Sequence, residues 1–166
     1  MHNKLTKKDI ELMRQELDHR RIVLRPKLLE EVKTARAFGD LSENFEYKAA
    51  KQEKNRNESR IRYLENMIRT SQVVEEAPAG EGAALYDKLT VTMPGGKTAV
   101  YQVVTTMRAD PLQGRISLES PVGKALLGRK PGDTVHIQMG EGSGYDLVIQ
   151  SIEKGQDDSQ IPLNSY

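Results

Sequence analysis

"ARAFGDLSENFEY", residues 35–47, decides how this chain folds. One helical pattern runs into the stretch and another runs out of it. Gly39 stands where a helix ends, just past its last turn. Asp40 and Glu43 follow, three residues apart. An Asp at the N-cap with a Glu at the third helical position is a capping box, which by itself begins a second helix. Phe38, Leu41, Phe45 and Tyr47 are harder to place. A turn built only for folding uses Gly, Asn, Ser and Lys, whereas apolar residues rimmed by charge mark a contact site.

Upstream, Leu17, Leu24, Leu28, Val32 and Ala35 are spaced by seven, four, four and three, a helical period. Thr6 is a plausible N-cap, with Asp9 in the fourth place of its capping box. Pro26 interrupts the run, so a kink or local break is expected there. Downstream, Tyr47, Ala50, Lys54, Asn57, Ile61, Leu64 and Ile68 step by three and four throughout, an a/d seam with Lys54 and Asn57 as its polar members. Two such helices joined by a short turn predict an antiparallel coiled-coil hairpin over residues 1–75, its tip near 38–47. Roughly 25–30 residues per helix at about 1.5 Å each makes an arm about 40 Å long. Neither helix has another of comparable length to pack on, so they pair with each other.

Residues 76–84, rich in Pro, Gly and Ala, read as a linker. Beyond them the period changes to two. "DKLTVTM" and "TAVYQVVTT" flank "PGGK", a hairpin signal. "GRISLES" is a further strand, "PVGKALLG" a short helix with Pro at its start and Gly128 at its end, and "KPGD" a turn. "TVHIQM" and "YDLVIQSIE" are two more strands around "GEGSG". This order predicts a small α+β domain on an antiparallel sheet over 85–154. The polar tail, 155–166, is expected to be mobile.

Composition narrows the class. The 166 residues are 30% charged and 37% hydrophobic, with 2 Phe and no Trp, too little apolar material for one large core. The absence of Cys excludes disulfides and thiolate metal sites. No apolar run approaches the roughly 18 residues of a membrane span, and no apolar signal segment opens the chain, so a soluble cytoplasmic protein is expected. Residues 1–75 carry 17 Lys and Arg against 13 Asp and Glu, and the remainder 8 against 11. That asymmetry is modest and does not by itself call for nucleic acid.

Asp40 and Glu43 have two readings. As a capping box they need no further purpose. As metal ligands they are too few for a closed cage, because Mg²⁺ takes one or two carboxylates only where other ligands complete its octahedron. The cations Lys33 and Arg36 on the first helix, and Lys48, Lys51, Lys54, Arg56, Arg60 and Arg62 on the second, also have two. They form a solvated coiled-coil face, or a basic strip that holds a phosphate backbone behind the acids. Arg36 and Lys51 lie at comparable distances from the turn, side by side on antiparallel helices. Phe45 or Tyr47 would supply the stacking surface by which single strands are gripped. His2, His19 and His136 fall on different elements and imply no metal or catalytic cluster. "PGG" and "GEGSG" read better as hairpin turns than as phosphate loops.

"GDLSENFEYKAAK", residues 39–51, resembles the tip motif of the GreA/GreB transcript-cleavage factors of bacterial RNA polymerase. "SLESPVGKALLGRKPGD", residues 117–133, resembles that family's second signature. The likeness runs from about residue 5 to 153, nearer the GreA branch than GreB. Phe45 departs from it by replacing a small residue, and the tail after Glu153 is longer than the family's usual end.

The resemblance implies an N-terminal antiparallel coiled coil and a C-terminal FKBP-like domain. It implies that the coiled coil enters the polymerase's secondary channel, and that the extruded RNA 3′ end of a backtracked complex is cleaved there. Asp40 and Glu43 match the acids that help hold a second Mg²⁺, shared with the polymerase and not bound stably by the factor alone. Leu41, Ser42, Asn44, Phe45 and Tyr47 would support the tip, Ser42 and Asn44 by orienting water or RNA. Arg36 and Lys51 match the basic patch for the RNA, with Lys48 and Lys33 beside them. The C-terminal domain is implied to bind the channel's outer rim. A monomer that is not itself an enzyme, and that donates ligands in trans, is expected, with no membrane partner. The alternatives are a non-cleaving channel regulator or inhibitor, and an unrelated coiled-coil adaptor.

Overall fold

The computed structural model of the chain describes residues 3–39, 43–75, 80, 82–156 and 160–165. It separates into two compact units: Ile10–Ser71, and the residues up to Asp9 together with Gln72–Ser165. The first nine residues, assigned to the hairpin by sequence, thus count with the sheet.

The first helix, α1 (Lys7–His19), begins on the expected box. The Thr6 hydroxyl accepts from the Asp9 N–H at 3.1 Å, and the Asp9 carboxylate accepts from the Thr6 N–H at 2.9 Å. A π-helical turn, Arg20–Leu24, joins α1 to α2 (Arg25–Arg36), which carries Pro26 in its first turn. The break expected at Pro26 is therefore a widened turn just before it. Proline has no N–H for the carbonyl four residues back, and its ring crowds that carbonyl, so the ladder opens. The Arg25 N–H reaches back to the Arg20 carbonyl instead.

Helix α3 (Phe45–Thr70) returns antiparallel. Its partners run opposite in number: Glu16 meets Arg60, Arg25 meets Glu58 and Arg36 meets Tyr47. Leu17, Ala35, Asn57, Ile61 and Leu64 of the expected seam are buried, and its other members are half-buried. Met13 and Met67 are buried beside them. Asn57 is tied in by Arg20, whose guanidinium donates to its side-chain oxygen at 2.9 Å while the Asn57 amide donates to the Arg20 carbonyl.

The other unit is built on a five-stranded sheet. Its strands are β3 (Lys88–Thr92), β4 (Thr98–Val104), β5 (Arg115–Ser117), β6 (Thr134–Gln138) and β7 (Gly144–Glu153), in the spatial order β5-β4-β3-β7-β6. Two short strands, β1 (Asn3–Leu5) and β2 (Ser71–Val73), pair separately. All pairings in the larger sheet are antiparallel except β4 with β5, which is parallel. The sequence order alone predicts antiparallel strands throughout. The intervening segment, with its turns at Thr106–Arg108 and Pro111–Gln113, instead carries the chain back alongside β4. The β3–β4 hairpin turns at Gly95 and Gly96, each at φ +87, a conformation that glycine adopts without strain.

Leu89, Val91, Val103, Val135, Ile137, Leu147 and Ile149 form one core with Leu126 of α4 (Pro121–Leu126). Ser120 caps α4 by accepting from the Gly123 N–H at 3.0 Å. A side chain at Gly123 would sit 2.0 Å from the Ser117 carbonyl oxygen, so the helix approaches the strand only because this residue has none.

The ends of this unit are more ordered than expected. Ala83, within the sequence-assigned linker, is buried and exchanges backbone hydrogen bonds with Gly128 and Arg129. The tail is docked from residue 160 to 165. Arg108, 1% exposed, donates to the Asp9 carboxylate at 3.0 Å and to the Ile161 carbonyl at 2.8 Å. The Asn164 N–H donates to the Met107 carbonyl at 2.7 Å, and its amide to the Thr106 carbonyl at 2.9 Å. A polar tail reads as mobile because its composition supplies no core. Here the Ile161 carbonyl serves a buried guanidinium, and Asn164 donates to the backbone carbonyls of Met107 and Thr106.

Candidate functional site

The turn between α2 and α3 gathers most of the candidate residues. Asp40, Leu41 and Ser42 lie outside the described residues. Glu43 is exposed, one residue before the cap of α3.

That cap is Asn44, not Asp40. The Asn44 side-chain oxygen accepts from the Tyr47 N–H at 3.0 Å, and its amide nitrogen donates to the Ala35 carbonyl at 2.7 Å. Glu43 accordingly lies outside α3 and is not its third helical residue. Asp and Asn cap about equally well, so local preference does not choose between positions 40 and 44. The donor chooses: a carboxylate cannot also give a hydrogen bond to Ala35. One neutral amide closes both helix ends at once, and the acid beside it is left for other work.

Behind the turn, Arg36 of α2 meets Tyr47 of α3. The guanidinium donates to the phenol oxygen at 3.3 Å and lies 5.4 Å from the ring centre. That hydrogen bond draws the Tyr47 phenol below its ordinary pKa. Burial opposes the shift, and the charges of Lys51, Arg36 and Lys54 add to it. Arg36 and Lys51 thus both act on the Tyr47 phenol, Arg36 by a hydrogen bond and Lys51 through its charge. Lys54, assigned to the seam by sequence, acts there too. It counts with the basic strip as well, and a long side chain can hold a seam position with its stem and still present its charge.

Lys48 sits one turn into α3, its ammonium 5.7 Å from the centre of the Phe45 ring. Phe45 is 80% exposed and Phe38 73%. Phe38 lines a shallow groove with Glu30, Thr34, Ala35, Glu46 and Ala50. Lys33 is exposed on α2.

The structure separates Arg60 from the basic strip. Arg60 is buried and donates to Glu16 at 2.8 and 3.2 Å, while Arg20 donates to the same carboxylate at 2.8 Å. Burial alone would raise the Glu16 pKa, but the hydrogen bonds and charges of the two guanidiniums outweigh it and bring the pKa below its ordinary value. Arg56 pairs with Glu53, and Arg62 donates to Ser59. A spacing pattern counts these cations alike, because it does not show which ones face an acid.

Among the described residues, no three His, Asp or Glu side chains converge on a point that would hold a metal ion. His136, on β6, pairs with Asp146 on β7 at 2.8 Å, and His19 is exposed on the hairpin.

An antiparallel helical hairpin with an acid at its turn and cations behind it, in a chain with a second α+β unit, defines a two-part factor. Two family descriptions match it in order: "Transcription elongation factor, N-terminal" over residues 3–73, and "Transcription elongation factor, GreA/GreB, C-term" over 84–154. The chain belongs to the GreA/GreB family of transcription elongation factors. It is 43% identical to transcription elongation factor GreA of Geobacillus kaustophilus over 89% of this chain and 93% of that one. It is 40% identical to GreA of Macrococcus caseolyticus over 89% and 94%. Among solved structures, GreA factor homolog 1 of Thermus thermophilus is 28% identical, spanning 93% of this chain and all of that one, with a TM-score of 0.43.

Proposed function

We propose that this transcription elongation factor binds bacterial RNA polymerase, places its hairpin turn in the secondary channel, and stimulates the polymerase's own cleavage of backtracked RNA. The observation that carries the reading is the placement of Glu43. It is an exposed carboxylate held next to the Asn44 cap, with Arg36 and Lys51 converging on Tyr47 just behind.

Each part has a physical role. The cap anchors the residue that follows Glu43, so the acid is presented from a closed helix end. The cations suit the phosphates of an extruded single strand. The donor set fits a shared metal site better than a complete one, because Mg²⁺ accepts one or two carboxylates when its other ligands come from elsewhere. Asp40 and Glu43 would be this chain's contribution, and the polymerase would supply the rest. The ion, when bound, activates the attacking water or stabilises the leaving oxygen of the phosphodiester. The chain on this reading is not an enzyme alone; it acts as a monomer that lends carboxylates in trans.

The test adds the purified protein and Mg²⁺ to a stalled, backtracked elongation complex labelled in its RNA. Shortened transcript is expected with the wild-type chain. Loss of shortening is expected with Asp40→Ala or Glu43→Ala, while both variants still co-purify with the polymerase. Equal cleavage by the double variant would overturn the role of the acids. Inhibition of nucleotide addition without shortening would identify a non-cleaving channel regulator instead.

A further inference from the structure

Phe45 is left unexplained by the fold and by the acids. It is the first residue of α3, is 80% exposed, and packs into neither the hairpin seam nor the groove at Phe38. Exposing a phenyl ring forfeits the burial that would otherwise repay its presence.

Its surroundings say what the ring would take. Residues advance about 100° around a helix. Starting at Tyr47, on the seam side, the next positions round the surface are Lys51, then Lys48, then Phe45. Contacts agree with this order. Tyr47 carries the Arg36 guanidinium and feels the charge of Lys51, and Lys48 lies against the Phe45 ring. One flank of α3 thus reads aromatic, basic, basic, aromatic. Cations that follow a phosphate backbone, with aromatic faces on which bases stack, are the elements of single-strand recognition.

We infer that the Phe45 ring, braced by Lys48, is a stacking platform for one base of the single-stranded RNA, whose phosphates run along Lys48, Lys51 and Arg36. Lys48 holds one side of the ring, and the base takes the open one. The inference rests on the polymerase-bound, RNA-cleaving reading above. A protein contact is the less favoured occupant. The cations beside Phe45 match a polyanion, and a greasy pocket on a protein would have no use for an ammonium beside the ring.

The experiment measures, in the backtracked complex, the factor concentration giving half-maximal RNA shortening, for wild type and for Phe45→Ala, Phe45→Leu and Phe45→Trp. It is run on RNA with normal bases and on RNA with abasic nucleotides in the extruded segment. Stacking on one base is worth roughly a five- to hundredfold change in binding. A rise of roughly fivefold or more is therefore expected for the Ala and Leu variants, with Trp close to wild type. Abasic RNA should weaken the wild type by a similar factor and leave Phe45→Leu unchanged. Full activity of Phe45→Leu would mean an apolar protein contact and would overturn the platform. So would an equal abasic effect on wild type and Phe45→Leu. If wild type shortens no transcript at all, the functional reading fails first and takes the platform with it.

Discussion

The Asn44 amide donates to the Ala35 carbonyl at 2.7 Å, and so ties the end of α2 to the start of α3 through one side chain. Its oxygen is used in the same moment to cap α3 at the Tyr47 N–H. Glu43 is therefore carried by a residue with both polar atoms committed.

Replacing Asn44 should loosen the turn more than the sheet. Asn44→Ala removes the cap, worth about 1 kcal/mol, and one further hydrogen bond, worth about 0.5–1.5 kcal/mol. Asn44→Asp keeps the cap oxygen and loses only the donor to Ala35. A graded loss of helical signal on heating is expected, largest for Ala and smaller for Asp. RNA shortening should fall in the same order.

The Asp9–Arg108 pair is a second test, because both side chains have no exposed surface. Breaking a buried pair by removing one partner costs about 3–5 kcal/mol. Arg108→Met should lower the free energy of unfolding by that much, read as a fall in the urea midpoint at unchanged m-value. Adding Asp9→Asn, which still offers an oxygen to the Thr6 N–H, should recover part of the loss. The signal to follow is tyrosine fluorescence, since Arg108 lies 5.5 Å from the Tyr86 ring centre.

Acid should weaken the hairpin through Glu16. Its pKa in the folded chain lies below the ordinary value of 4.5, so the unfolded chain takes up the proton first as pH falls. The stabilisation is complete above that value and drains away as pH drops through the folded pKa. Glu16→Gln should lower stability at neutral pH and flatten its dependence on pH in the acid range. Denaturation curves across that range would check both.

Tyr47 reports on the basic cluster. The Arg36 hydrogen bond is the main cause of its lowered pKa. Arg36→Gln should therefore move the tyrosinate absorbance transition to higher pH, and Lys51→Gln should move it less. Because Arg36 also belongs to the proposed RNA contact, Arg36→Gln should weaken RNA shortening while co-purification with polymerase persists.

Much of this was legible in the chain itself. The step of three and four from Tyr47 to Ile68 marks the face of α3 that is buried, and the Thr6–Asp9 box marks where α1 begins. The strands and glycine turns after residue 85 lie where the period changes and the Gly pairs fall. At the turn, sequence pointed to the right neighbourhood and the wrong cap. Asp40 and Asn44 are equivalent by local preference, and only the reach of an amide to Ala35 separates them. The strip of cations was legible as composition, but the removal of Arg60 to a buried pair with Glu16 was not.

The sequence by itself determined the two helices of the hairpin, the order of the strands, the position of the turn and the family. Periodicity, caps and glycine turns are properties of residues close together in the chain, and spacing alone records them. The tertiary structure decided that β5 runs parallel to β4, that the tail docks on Arg108, and that Asn44 closes the turn. Most of these depend on which hydrogen-bonding groups and charges from distant segments come within about 3 Å of each other. A one-dimensional pattern does not contain that distance.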